Sequence, residues 1–190
     1  MADHSRNQPR RSRDPASQEE KQFDERVMFV NRVARVVKGG RRFRFQALVV
    51  VGDHKGKVGI GVSKGADVST AVNKATDVAK KHLVRIPMHN ATLTHEVAGQ
   101  VGGAKIKILP AAPGTGLIAG GVVRTVLEVT GIENALSKSY GSSNRINTAY
   151  ATLEALQKML PASKWIIKPA SRQKAEASVA KTSKEVSETK

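Results

Sequence analysis

The chain reads as an α+β protein. Three observations carry that expectation. Residues alternate at strand period over 37–64, apolar residues recur at helical spacing in three later stretches, and the two kinds of segment do not strictly take turns. In the first stretch Phe43, Phe45, Ala47, Val49 and Val51 alternate with Arg42, Arg44, Gln46, Leu48 and Val50. Successive side chains on a strand point to opposite faces, so one face is expected to be apolar and the other to carry arginine near its start. After the turn residues Gly52-Asp53-His54-Lys55-Gly56, Val58, Ile60 and Val62 alternate with Lys57, Gly59, Gly61 and Ser63. Such a sheet buries a core on one side and presents a basic, glycine-studded face on the other. Arg41, Arg42, Arg44, Lys55, Lys57 and Lys64 are opposed there by Asp53 alone.

The remaining elements follow in order. Residues 1–24 are polar and nearly free of aliphatics, so they are expected to stay disordered alone. The run Val27 to Val37 is rich in β-branched residues and reads as a strand, broken by Lys38-Gly39-Gly40-Arg41. Asp67 is the expected N-cap of a helix whose core face is Val68, Ala71, Val72, Ala75, Ala79, His82 and Leu83, with Asp77 and Lys81 paired one turn apart. Residues 25–86 thus make a first domain of three strands and a helix, and Pro87 through Asn90 a linker. Within the second domain, 87–160, a hairpin is expected from Thr94–Val101 and Ala104–Leu109. A helix follows with Val122, Val123, Val126, Leu127 and Val129, ended by Gly131. A strand near Ala135–Tyr140 leads to a last helix with Ile146, Ala149, Tyr150, Leu153, Leu156 and Leu160 on one face, stopped by Pro161. Residues 161–190 read as a disordered tail with Trp165-Ile166-Ile167 as an anchor.

Charge bounds the partners. Lys and Arg number 32 against 16 Asp and Glu in 190 residues, a net +16, which suits a nucleic acid or an anionic membrane. The excess sits in the first domain, where fourteen basic residues face four acidic ones. There is no cysteine, which removes disulfides, thiolate metal sites and cysteine nucleophiles. The N-terminal charges are followed by no apolar segment, so a secretory signal is not expected, and no apolar run is long enough to span a bilayer.

Val37-Lys38-Gly39-Gly40-Arg41-Arg42 has the chemistry of a phosphate clamp, since glycines admit an anion to the backbone and the cations neutralise it. Gly59 and Gly61 either relieve crowding or admit a nucleic-acid backbone. Gly114-x-Gly116-x-x-Ala119, with Glu133 further on, has the outline of a dinucleotide fingerprint. Pro110 and Pro113 interrupt its turn and no apolar parallel strand precedes Glu133, so a tight packing turn is favoured. His4, His54, His82, His89 and His95 have no metal-site spacing, and no catalytic constellation presents itself. Aromatic residues are scarce and Phe43 and Phe45 fall on the apolar side. That favours phosphate and shape recognition of structured RNA over base reading.

The segment Gly40-Arg-Arg-Phe43-Arg-Phe45-Gln-Ala47-Leu-Val-Val-Val-Gly52-Asp53-x-x-Gly56-Lys-Val58-Gly59-Ile-Gly61 closely resembles the signature of the fifth protein of the bacterial small ribosomal subunit, the S-five family. The likeness extends through Val30-Asn31-Arg32-Val33, Gly114-Thr-Gly116-Leu-Ile-Ala-Gly120-Gly121 and Tyr140-Gly141-Ser142-Ser143-Asn144, covering about 25–160. It implies a double-stranded-RNA-binding-like N-terminal domain, a three-stranded antiparallel sheet plus helix, followed by a small α/β domain. It implies a cytoplasmic ribosomal constituent without enzymatic activity or cofactor. The partners implied are small-subunit ribosomal RNA between head and body, ribosomal proteins S-four and S-eight, and the nearby path by which messenger RNA enters. The family is also tied to translational accuracy and to spectinomycin, whose associated loop matches Val37 to Arg41.

Residues and resemblance together assign RNA contact to Arg32, Arg35, Lys38, Gly39, Gly40, Arg41, Arg42, Arg44, Lys55, Lys57, Gly59, Gly61 and Lys64. Gly114, Gly116 and Arg124 are assigned to a protein interface, Gly116 and Arg124 matching the contact with S-four. Two departures stand out. The leading segment is strand-like and Lys80 and Lys81 come late in their helix, which argues against generic duplex binding. Arg145 stands where the family often has proline.

Overall fold

The computed structural model describes residues 23–161 and 164. The expectations for the remaining tail residues, and for the Trp165-Ile166-Ile167 anchor, lie outside the described residues. Phe23 already packs on a core cluster and Asp24 opens the first strand.

The β-branched run forms β1 (Asp24–Val37), which pairs antiparallel with β2 (Gly40–Gly52). β2 pairs with β3 (Lys57–Gly65), and a short β4 (Val84–Arg85) completes a sheet in the order β1-β2-β3-β4. Helix α1 (Val68–Lys81) lies across one face. Ala47, Val49 and Val51 are buried beneath it with Ala71, Ala75 and Ala79. Leu48, Val50, Val58 and Ile60 point the other way and are buried against the second half of the chain.

The expected division into one dry face and one basic face therefore fails over the centre of the sheet. The reason is visible in Ala47-Leu48-Val49-Val50-Val51, which is apolar at both parities, the pattern of a strand covered twice. Gly59 and Gly61 belong to the covered surface. A Cβ on Gly61 would run into the Ala75 carbonyl oxygen, and one on Gly59 into that of Ala79. These glycines let helix backbone approach strand backbone and are buried, so they are withdrawn as RNA contacts.

The N-cap of α1 is Asp67, whose N–H donates to Thr70 Oγ1 at 3.2 Å. His82, expected on the core face, is exposed at the helix end, with Nδ1 2.8 Å from the Val78 carbonyl oxygen. Among the described residues the ion pair α1 makes is Lys80 Nζ to Glu25 Oε1 at 2.9 Å, across to β1, rather than Asp77 to Lys81.

In the stretch read as a linker, β5 (Met88–His89) and β6 (Thr92–Leu93) form a small hairpin. Its turn residues Asn90 and Ala91 have φ of 48° and 59°, as a two-residue turn matched to strand twist requires. The Ala91 carbonyl then accepts the N–H groups of Glu133 and Asn134 at 2.9 and 3.2 Å, fastening the segment to the second half.

The second sheet has the order β7-β8-β10-β9. β7 (Val97–Val101) and β8 (Ala104–Pro110) are the expected hairpin, and β10 (Ala135–Tyr140) the expected strand. The two-residue β9 (Leu117–Ile118) pairs parallel with β10 and has no signature of its own in the sequence. Helix α2 (Gly121–Thr130) ends on Gly131 at φ +95°, the left-handed cap expected there. Helix α3 (Arg145–Gln157) is capped by Asn144, whose Oδ1 accepts the Ile146 N–H at 3.0 Å. It buries Thr148 and Thr152, whose hydroxyls donate one turn back to the carbonyls of Asn144 and Thr148 at 2.9 and 2.8 Å. Leu160, expected on its apolar face, lies past the helix end and is 52% exposed. The two sheets share one interior, in which Leu48, Val50 and Ile60 of the first meet Ile106, Val126 and Leu156 of the second half.

Close packing at Gly61 has a measurable consequence. Gly61→Ala forces α1 off the sheet and should lower stability by about 2 kcal/mol or more in urea unfolding, since overpacking a well-filled site commonly costs about 1–3 kcal/mol. Gly121→Ala, whose Cβ meets nothing within 4 Å, should leave stability unchanged or slightly raised.

Candidate nucleic-acid interface

β1 and β2 are longer than the helix that covers them. α1 reaches the level of Phe45, which, like Val30 and Val72, packs against the cluster beneath the helix. Beyond it the ribbon continues for six residue pairs, from Arg32↔Phe45 to Val37↔Gly40. At ~3.3–3.4 Å per residue that is an arm of about 17 Å. Its tip is Lys38-Gly39, and Gly39 at φ +86° supplies the left-handed backbone that closes the turn.

Register sorts the arm's cations onto two faces. On one, Arg35 stands directly opposite Arg42, and Val33 opposite Arg44. These three arginines join Lys64 of β3 around one shallow cavity floored by Val33 and Val37. On the other face, Arg32 stacks on the ring of Phe43, its Cζ 3.7 Å from the ring centroid, and Arg41 lies opposite Val36. There is no Asp or Glu anywhere in 31–46. Among the described residues, every salt bridge lies elsewhere in the fold. Like charges directly opposite across a strand pair destabilise it unless an anion lies between them.

Lys55 and Lys57 do not join this cluster. They flank the β2–β3 turn at the far end of the sheet, roughly 33 Å from Arg42 at ~3.3 Å per strand residue. Asp53 organises that turn by accepting the N–H groups of Lys55 and Lys57 at 2.8 and 2.9 Å. Burial pushes the Asp53 carboxyl up, but those backbone donors outweigh it and hold it below its ordinary range. Lys57 pairs there with Arg85 of β4, a cation the strand pattern did not single out. Arg145, at the start of α3, lies 5.2 Å over the ring of Phe29 where the arm leaves the body.

The glycine turn at Gly114 and Gly116 is filled from within. Both N–H groups donate to Oδ1 of Asn134, at 3.1 and 3.0 Å, so no phosphate is needed to satisfy them. Sequence spacing offers no pointer to Asn134, which comes from the loop before β10. Arg124 is engaged as well: its Nε meets Glu128 Oε1 at 2.8 Å while Arg26 of β1 meets Glu128 Oε2 at 2.6 Å. His54 adds a link between Asp24 Oδ2 and the Glu128 carbonyl oxygen, at 3.2 and 2.9 Å. Exposed at the turn are Ala112 to Thr115, and beside it Ile118, 58% exposed, and the outer side of Arg124.

Within the described residues no group of three metal-ligating side chains occurs, and no helix is long and apolar enough to cross a membrane.

The hydrogen bond from Arg124 holds the Glu128 carboxyl below its ordinary range; burial opposes this and the Arg26 hydrogen bond reinforces it. A carboxyl lowered in the folded state stabilises the fold above its unfolded pKa of about 4.3, and that contribution is lost as pH falls through the folded value. Acid unfolding should therefore be less steep for Glu128→Gln than for the native chain when denaturant midpoints are compared from pH 6 to pH 3. Asn134→Ala leaves two N–H groups unanswered and should lower stability by about 1–3 kcal/mol in the same assay at pH 7.

Comparison with known proteins bears on both halves. Residues 23–87 match the family model described as ribosomal protein S5, N-terminal domain, and residues 99–170 that of its C-terminal domain. The chain is similar to the small ribosomal subunit protein uS5 of Picosynechococcus sp., with 50% identity over 148 residues covering 77% of this chain and 86% of that protein. It is similar also to the protein of the same name from Chloroflexus aurantiacus, with 51% identity over 138 residues, 73% of this chain and 78% of that one.

Proposed function

The chain belongs to the ribosomal protein S5 family, and we propose that its arm grips small-subunit ribosomal RNA while its second half docks on protein neighbours. It is a structural constituent of the small ribosomal subunit and not an enzyme. The single observation that carries the RNA reading is the arm. Arg35 and Arg42 face each other there, and the arm's own residues 31–46 include no Asp or Glu. A two-stranded ribbon open on both sides is marginal in water. Phosphates supply what the arm lacks, charge neutralisation and a surface to lie on.

The interface is divided into sites. Arg35, Arg42, Arg44 and Lys64 form a phosphate-contacting face, and Lys38, Gly39 and Gly40 a tip that admits backbone. Lys55 and Lys57, joined by Arg85, form a separate contact at the far end of the sheet. Arg32 and Arg41 belong to the arm's other face. The sheets share one interior, so a protein held at the arm and at the Ile118–Arg124 surface transmits force between them. That supports a role in fixing the head of the subunit against its body, with S-four and S-eight as the protein neighbours and the messenger RNA path nearby. Accuracy of translation follows in this reading from the stiffness of that link. Gly114 and Gly116 act indirectly, by shaping the turn that presents Ile118.

The test is the salt dependence of binding by the full chain to small-subunit ribosomal RNA. Replacing Arg35, Arg42 and Arg44 together by alanine should weaken binding and make the plot of log K against log salt shallower. The slope should change by ~0.7–0.9 for each phosphate that is no longer neutralised. An unchanged slope removes these arginines from the interface.

A further inference from the structure

The two faces of the arm differ in chemistry. We infer that the face carrying Arg32 and Phe43 is a stacking site for one unpaired base of the bound RNA, distinct from the phosphate-contacting face behind it. The inference rests on the RNA reading above and deepens it.

Four observations carry it. Phe43 is 49% exposed although it lies in the apolar set of its strand, because α1 does not reach it. Its cross-strand neighbour is Ala34, which is too small to cover the ring. The Arg32 guanidinium lies flat enough over the ring for its Cζ to approach within 3.7 Å of the centroid. That covers one side of the phenyl group, and Arg32 is itself exposed. Further along the same face Val36 is 76% exposed and Arg41 sits opposite it.

The result is a flat shelf with a cationic plane at one end and a phosphate-binding arginine at the other. An exposed apolar shelf is out of place against the sugar–phosphate surface of a duplex. It suits a splayed base, whose ring stacks on an aromatic or guanidinium plane while its own phosphate meets a cation. The arm has no carboxylate of its own in 31–46, so Arg32 and Arg41 are left to be answered by a polyanion, which RNA is along its whole length.

Stacking and phosphate contact are separable by salt. In filter binding of the full chain to small-subunit ribosomal RNA, Phe43→Leu should weaken affinity about tenfold, the scale of removing one base–aromatic stack, with the salt slope unchanged. Phe43→Trp, which keeps a stacking plane, should bind like the native chain. Short-wavelength irradiation of the native complex should crosslink a nucleotide base within the shelf segment, residues 32–36 or 41–45. Native affinity for Phe43→Leu, or a slope that falls with its affinity, overturns the inference, as does a native complex without a base crosslink in that segment. Arg42→Ala separates the two layers. If it makes the slope shallower while Phe43→Leu binds normally, the stacking site alone fails. If it leaves the slope as it was, the RNA reading of the arm fails with it.

Discussion

Arg35 and Arg42 stand face to face across a strand pair, with no carboxylate on the arm to separate their charges. That repulsion is the constraint on which the rest of the structure turns. An arm of this kind gains stability from a rigidly held base and, in the reading proposed above, from an anion laid against its surface. The base is held by continuity, because the strands that carry the arginines run on into the most deeply buried part of the molecule, Ala47 to Val51. One ribbon is thus core at one end and exposed, cationic surface at the other.

Rigidity at the core end comes from backbone proximity more than from bulky side chains. Gly59, Gly61 and Gly65 lie beneath Ala71, Ala75 and Ala79, and the second half repeats the device with Gly99 beneath Ala151 and Ala155. Small residues facing each other bring helix and strand axes close and leave little room for sliding. On the opposite face a shared interior joins the two sheets. The Arg26–Glu128–Arg124 chain of charges and the His54 bridge fasten the start of β1 and the β2–β3 turn to α2. The strands that carry the arm are in this way tied to the second half on two sides.

Much of this was legible in the sequence, and the failures share one cause. Strand alternation, the Gly102-Gly103 hairpin, the Gly131 cap and the span Ala135–Tyr140 are local signals, and the structure has them where the pattern puts them. Which face of a strand is covered, and by what, depends on elements far along the chain. Alternation over 42–51 suggests dry against basic, whereas the real division runs along the strand, between a covered end and a bare one. The same blindness places Lys55 and Lys57 beside Arg42, turns the buried Gly59 and Gly61 into contacts, and misses Asn134 and Arg85. The assignment of Phe43 to the core fails because α1 begins only at the level of Phe45, and alternation does not say how far along a strand the covering helix lies.

The most direct measurement is amide hydrogen exchange of the full chain, free and within the assembled small subunit. With the arm held by RNA, residues 32–44 exchange rapidly in the free chain and slowly in the subunit, while Ala47–Val51 are protected in both states. An arm that is as protected alone as in the particle, or as unprotected in the particle as alone, contradicts the claim that bound RNA completes this ribbon.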